Sequence, residues 1–337
     1  MKRILITGGS GFLGTNLVQY HIDQGDKVLS LDVAHPSCVL HESVWRRGDI
    51  LDVNDLHRHV QEFQPTHVYH FAARTDLDGK TVGDYRANTE GVANVIDVFS
   101  RYKEVERIFF ASSRLVCRIG YQPKHDRDYL PTTAYGQSKA DGEELVRQSG
   151  SALHWTIVRP TSIWGEWFGV PYKDFFLTIR AGKYFHPSGP DIRKSFGYVG
   201  NSVYQLAKLL SAPSHETATK TFYIADYPPL GLRDFANKIQ ECFRAPRIRL
   251  APRWVLQFAG RVGDLIPPNG IWEPPVTTFR VSNLLTDMVY DLSPVEAIVG
   301  RLPYSMEEGV RRTVTWLRSQ SSSAVHFRSS ATERETR

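Results

Sequence analysis

A chain of 337 residues with 41% hydrophobic and 23% charged residues holds enough apolar material for a full core and for a second lobe. Its net charge of +5 comes from scattered Lys and Arg rather than runs, which argues against a nucleic-acid partner and leaves an anionic small ligand open. Cys38, Cys117 and Cys242 are too few and too far apart for a disulfide framework, no Cys/His cluster has metal-ligand spacing, and no apolar run approaches a membrane span, so a cytoplasmic protein without a metal site is expected.

The first expected strand, RILIT, runs into TGGSGFLG and a helix from about Phe12 to Gln24. Then follow the strand KVLSLD, the helix DVNDLHRHVQEF, the strand HVYHFAA, a helix near Asp84 to Tyr102, the strand RIFFAS, a helix holding Tyr135, and the strand HWTIVRP. Strands fed by helices in this order predict an α/β fold built on a Rossmann-type, doubly wound parallel sheet. After Pro160 the alternation gives way to an aromatic, Gly/Pro-rich stretch and mixed short elements, which predicts a smaller mixed α/β lobe. The expected layout is residues 1–160 as a dinucleotide-binding domain and 161–318 mainly as a substrate lobe with some elements returning to the sheet. The Ser-rich residues 319–337 are expected to form a disordered tail.

Gly8, Gly11 and Gly14 fall between the first strand and the first helix, where they allow a tight turn, close approach of a pyrophosphate to the backbone, and close helix–strand packing. Asp32 ends the second strand about twenty residues further on, where a carboxylate hydrogen-bonds a ribose 2′-hydroxyl and repels a 2′-phosphate. NAD is therefore the expected cofactor.

Tyr135 lies four residues ahead of Lys139, so a helix brings both side chains to one face. Tyrosine alone, with a pKa near 10, is a poor base at neutral pH. A neighbouring ammonium is expected to favour the phenolate and make Tyr135 the proton acceptor for a substrate hydroxyl. Ser113, at the end of the strand RIFFAS, is expected to face the same crevice and bond the reacting oxygen.

With these residues in place, the chain resembles the extended short-chain dehydrogenase/reductases, and within them the nucleotide-sugar epimerases and dehydratases. TGGSGFLG resembles the family's cofactor loop, SSRLVC its Ser-bearing strand end and YGQSK its active-site helix. GDILD, HFAA, NTEGVANV, RPTSIWG and a closing YDLSPVEAIVGRLPYSMEEGVRRTVTWL follow in the family's order. The resemblance implies Ser113, Tyr135 and Lys139 as the catalytic set, with Lys139 also holding the nicotinamide ribose. It implies a cofactor site of Gly8, Gly11, Phe12, Leu13, Gly14, Asp32, Asp49, Ile50, Phe71, Ala72, Ala73, Tyr135, Lys139 and Pro160. Asn88 reads equally as a ligand or as a buried amide.

Sugar 4,6-dehydratases of the family carry Asp and Glu where this chain has Arg114 and Leu115, neither an acid nor a base near neutral pH, so elimination of water is not expected. The leading expectation is a nucleotide-sugar epimerase working by transient oxidation to a 4-keto sugar. The alternatives are a 4-keto-sugar reductase, a 3β-hydroxysteroid-type alcohol dehydrogenase, and a non-catalytic dinucleotide sensor. Ser113, Ser162, Lys194 and Arg280 are the candidate substrate contacts, the two cations for a nucleotide diphosphate. Trp164, Trp167, Phe168, Tyr172 and Phe176 read mostly as lobe core. A homodimer through the helices near 84–102 and 135–149 is the expectation that the resemblance carries.

Overall fold

The computed structural model describes residues 1–150, 153–266 and 277–332. From the start of the chain come β1 (Arg3–Thr7), α1 (Phe12–Asp23), β2 (Lys27–Asp32), β3 (Trp45–Arg47), α2 (Val53–Phe63), β4 (His67–His70), α3 (Arg86–Ser100), β5 (Arg107–Ala111), α4 (Ala134–Gln148) and β6 (Trp155–Pro160). Shorter elements follow: β7 (Ser162–Trp164), α5 (Tyr172–Arg180), β8 (Phe185–Pro187), β9 (Arg193–Lys194), β10 (Phe196–Tyr198), α6 (Val199–Ser211), α7 (Ser214–Thr217) and β11 (Lys220–Ile224). The remainder is β12 (Leu230–Gly231), α8 (Leu232–Phe243), β13 (Arg249–Ala251), α9 (Arg253–Asp264), α10 (Thr278–Leu285), α11 (Ser293–Val299) and α12 (Met306–Thr332).

The chain divides into two compact units. The first comprises Met1–Ile163, Lys194–Pro229 and Thr286–Pro303 and contains a seven-stranded sheet in the order β11-β6-β5-β4-β1-β2-β3. The pairings between neighbouring strands are parallel. In β1 four consecutive side chains, Ile4 to Thr7, are buried, as a strand covered on both faces requires. Leu5, Val68, Ile108 and Ile157 from four strands join Val95, Val98 and Phe99 of α3 in one core cluster, and full burial of each aliphatic side chain contributes roughly 1.5–3 kcal/mol. The strand order reverses between β1 and β4, so a crevice opens beyond their carboxyl ends.

Helix starts follow local chemistry. Asp52 caps α2 by accepting the N–H groups of Asn54 and Asp55, both at 3.0 Å. Thr133 caps α4 by accepting from the Gly136 N–H at 3.0 Å.

The second unit comprises Trp164–Arg193, Leu230–Leu285 and Tyr304–Arg337. Its core is aromatic: Trp164, Phe168, Phe176 and Phe235 are buried, and the Trp164 and Phe235 rings lie 4.9 Å apart. Most of the aromatic stretch read from the sequence as lobe core is therefore core. The expected irregular tail from residue 319 differs from the structure, where α12 continues through Thr332. That stretch contains neither Gly nor Pro, so nothing local ends the helix. The last five residues of the expected tail, 333–337, lie outside the described residues. Among the described residues no helix is long and apolar enough to cross a membrane, and no group of three His, Cys, Asp or Glu side chains could hold a metal ion.

Candidate active site

The glycine loop joins β1 to α1 and is shaped by close backbone approaches. Gly8 has φ +74°, and a Cβ there would meet the backbone nitrogen of Ala72 at 2.5 Å. A Cβ on Gly14 would lie 2.0 Å from the Gly8 carbonyl oxygen, so the helix reaches the loop only because that residue is glycine. Gly11 sits at the N-cap of α1 and offers no capping side chain, and its N–H donates to the Gly8 carbonyl at 3.1 Å. Phe12 and Leu13 form the first turn behind it. The positive end of the helix therefore meets a glycine loop that is exposed at Gly11, a cradle that fits a pyrophosphate.

Asp32 is tied to that loop. Its Oδ2 accepts from the Ser10 N–H at 3.0 Å and its Oδ1 from the Ala34 N–H at 3.0 Å, which fixes a half-buried carboxylate at the end of β2. Phe71, Ala72 and Ala73 follow β4. The Phe71 N–H donates to the Thr7 carbonyl at 3.0 Å and the Ala72 N–H to Thr7 Oγ1 at 3.3 Å, which presses this segment against the glycine loop.

Asp49 is exposed, and its Oδ1 accepts from the Leu51 N–H at 2.9 Å. Ile50 turns inward to the core, and its carbonyl accepts from Asn94 Nδ2 at 2.9 Å. Pro160 ends β6 in register with Ile224, and Ser162, two residues on, is buried in β7.

Ser113, Tyr135 and Lys139 come together at the carboxyl end of β5. Ser113 caps a single 3-10 turn, Arg114–Val116, and its Oγ accepts from the Leu115 N–H at 3.1 Å. The same side chain favours the ionised form of the Tyr135 phenol in the first turn of α4. One turn further, Lys139 Nζ donates to the Ala111 carbonyl at the end of β5 at 2.9 Å. Burial pushes the Lys139 ammonium down to about 8, partly offset by the Glu143 carboxylate.

Tyr135 departs from the sequence-based expectation. Burial holds its phenol above the ordinary value, and the opposing influences are the Ser113 hydroxyl and the charge of Arg114 rather than of Lys139. The ammonium is directed to the Ala111 carbonyl, while the guanidinium of the residue after Ser113 acts on the phenol. By residue type alone Arg114 is a group unable to serve as an acid or base; its inward fold depends on the 3-10 turn, which no sequence period announces.

Two supporting groups also escaped the sequence reading. Glu143, another turn along α4, is buried and accepts from Ser112 Oγ at 2.5 Å, Arg159 Nε at 2.8 Å, Arg159 Nη2 at 2.7 Å and the Tyr129 hydroxyl at 3.0 Å. It thereby links α4 to the ends of β5 and β6, and its signal in the sequence was the four-residue step from Lys139. His70 ends β4 with Nδ1 bonded to Thr7 Oγ1 at 2.8 Å; burial, aided by the Lys139 charge, pushes it down to about 3, so it is neutral.

Asn88 resolves as a structural amide. Its Oδ1 accepts from the Arg74 N–H at 3.0 Å, and its Nδ2 donates to the Arg74 carbonyl at 2.9 Å and to Ser138 Oγ at 3.0 Å. Lys194 belongs to the first unit and is buried, with Nζ donating to the Thr286 carbonyl at 3.0 Å. Burial, and after it the charge of Arg114, push that ammonium down to about 7. Arg280 belongs to the second unit, in α10, where its backbone N–H donates to Thr277 Oγ1 at 3.2 Å.

Comparison with known proteins bears on this arrangement. A 2-alkyl-3-oxoalkanoate reductase of Stenotrophomonas maltophilia is 27% identical over 329 residues, covering 92% of this chain and 98% of that protein. The N-acetyl-alpha-D-glucosaminyl-diphospho-ditrans,octacis-undecaprenol 4-epimerase of Escherichia coli O157:H7 is 25% identical, covering 93% of this chain and 94% of that protein. Among solved structures, the UDP-glucose 4-epimerase of Thermotoga maritima, determined with UDP-glucose, superimposes with a TM-score of 0.71 over 94% of this chain and 99% of its own, at 18% identity, which shows a shared fold. The family model described as the NAD dependent epimerase/dehydratase family matches residues 4–184, the stretch that carries the glycine loop, Ser113, Tyr135 and Lys139. The chain belongs to that family: it is an NAD-dependent enzyme of the extended short-chain dehydrogenase/reductase type.

Proposed function

We propose that this enzyme reduces a ketone to a secondary alcohol, and runs the reverse oxidation, with Tyr135 as the proton donor and acceptor. The observation that carries the reading is the buried Tyr135 phenol, subject to the influence of Ser113 and held above its ordinary pKa by desolvation. A phenol kept protonated at neutral pH is poised to give its proton to a ketone oxygen. The nicotinamide cofactor, when bound, would supply the hydride that the carbonyl carbon receives. Ser113 would hold the substrate oxygen, Lys139 the nicotinamide ribose, the glycine loop the pyrophosphate, and Asp32 the adenosine ribose. The full-length likeness to a named reductase supports net redox turnover.

A second reading, epimerisation of a nucleotide sugar through a transient 4-keto sugar, uses the same three side chains. The likeness to a 4-epimerase supports it. One assay separates the two: purified enzyme with a panel of ketones, secondary alcohols and nucleotide sugars, followed by cofactor absorbance and product stereochemistry. Stoichiometric cofactor turnover is the expected result. Isomerised sugar with no net NADH change would replace reduction by epimerisation.

A further inference from the structure

Arg114 is a buried cation that the reaction as described does not require. Its side chain is 6% exposed, Nη1 is enclosed without a hydrogen-bond partner, and among the described residues the guanidinium makes no ion pair. Placing a guanidinium in the interior without a counter-ion costs several kcal/mol, so the protein tolerates a strongly unfavourable group directly beside its reacting serine.

A second buried cation lies within the electrostatic influence of Arg114. Lys194, eighty positions along the chain, is 3% exposed, and its ammonium experiences the field of Arg114, which also acts on the Tyr135 phenol. Asp287 acts on Lys194 in the opposite sense, and more weakly than Arg114.

We propose that Arg114 and Lys194 form the receptor for a carboxylate carried on the substrate within two carbons of the reacting carbon, making the substrates keto acids and the matching hydroxy acids. The guanidinium presents a planar fork suited to two parallel bonds with a carboxylate, and the ammonium adds a point charge. Because Arg114 is adjacent in sequence to Ser113, the anion it holds belongs near the oxygen that Ser113 and Tyr135 engage. Two sources offer that chemistry: a free 3-hydroxyalkanoate, and the hexuronate of a nucleotide sugar, whose carboxylate is likewise two carbons from the 4-hydroxyl. The proposal names the substrate class of the redox site described above and rests on that reading.

The test measures binding, so that it does not depend on turnover. Calorimetric titration of the NAD-loaded protein compares 3-hydroxydecanoate with its methyl ester, and UDP-glucuronate with UDP-glucose. At least a tenfold preference for the acid is expected in one pair, and the pair identifies the source. Arg114→Leu is expected to abolish that preference while the neutral ligand binds as before, Arg114→Lys to keep part of it, and Lys194→Met to reduce it several-fold. Tyr135→Phe retains the preference, so a preference without turnover overturns the redox reading and leaves the receptor standing. The receptor is overturned if neither acid outbinds its neutral counterpart, or if Arg114→Leu weakens both members of a pair equally.

Discussion

Tyr135 works in a balance between burial, which favours the neutral phenol, and the Ser113 hydroxyl and Arg114 charge, which favour the phenolate. Removing the hydroxyl in Tyr135→Phe removes the transferable proton, and ketone reduction is expected to fall by about 10²–10⁴-fold with cofactor affinity retained. Steady-state kinetics alongside NADH titration checks this; an unchanged rate excludes Tyr135 as the acid. Removing the nearby cation in Arg114→Leu lifts the phenol pKa further. Reduction needs the protonated form, so the alkaline fall in kcat/KM is expected to move to higher pH, and a shift to lower pH would contradict the assigned field. The roles of Ser113, Tyr135 and Lys139 were suggested by residue type and spacing. That of Arg114 was not, because its chemistry comes from burial, and burial of a single Arg leaves no trace in a local pattern.

At the scale of elements, α4 carries one polar face along successive turns: Tyr135 to Ser113, Lys139 to Ala111, and Glu143 to Ser112 and Arg159. The third contact positions the first two by fixing the helix against the ends of β5 and β6. Glu143→Ala leaves Arg159 buried without its carboxylate, and removal of one partner from a buried ion pair costs about 3–5 kcal/mol. Urea unfolding measures the loss, and the double variant Glu143→Ala/Arg159→Met is expected to recover part of it. The β1–α1 loop is a similar case of backbone dictating residue. At Gly8 alanine meets both a left-handed backbone, at about 1–2 kcal/mol, and the Ala72 nitrogen at 2.5 Å. Gly8→Ala is therefore expected to lower the melting temperature and to weaken NAD binding together; wild-type behaviour in both would show that the loop can shift freely.

Across the whole molecule, legibility followed the range of the contacts. The first 160 residues alternate strand and helix with each connection local, and the expected strands KVLSLD, RIFFAS and HWTIVRP lie within one residue of β2, β5 and β6. The three-residue β3 gave too short a run to read, and the assignment of β11 to the sheet edge beside β6 depends on a pairing some sixty residues away. The second unit is assembled from three separate segments with strands of two or three residues, too short for an alternation to be read, although helices such as α8 keep a helical period.

Long-range burial also governs how stability responds to pH. Asp226, which follows β11, is buried, and desolvation pushes its carboxyl up to about 7 despite the Tyr198 N–H bonded to Oδ2 at 3.1 Å. Its folded pKa lies above the unfolded one, so the folded state binds this proton more tightly. The associated stability is complete below about pH 4 and is lost as pH rises through 7, a swing of roughly 4 kcal/mol at about 1.4 kcal/mol per pKa unit. His67 and His70 have the opposite sign. Burial depresses them to about 4 and about 3, so their contribution is present above pH 6.5 and is lost as pH falls. Between pH 4 and 6.5 the wild-type slopes offset one another. Asp226→Asn removes one side of that balance, and its unfolding free energy is expected to rise with pH more steeply than that of the wild type across this interval. Denaturant midpoints at several pH values decide it, since parallel curves for the two proteins would mean that Asp226 titrates at an ordinary value.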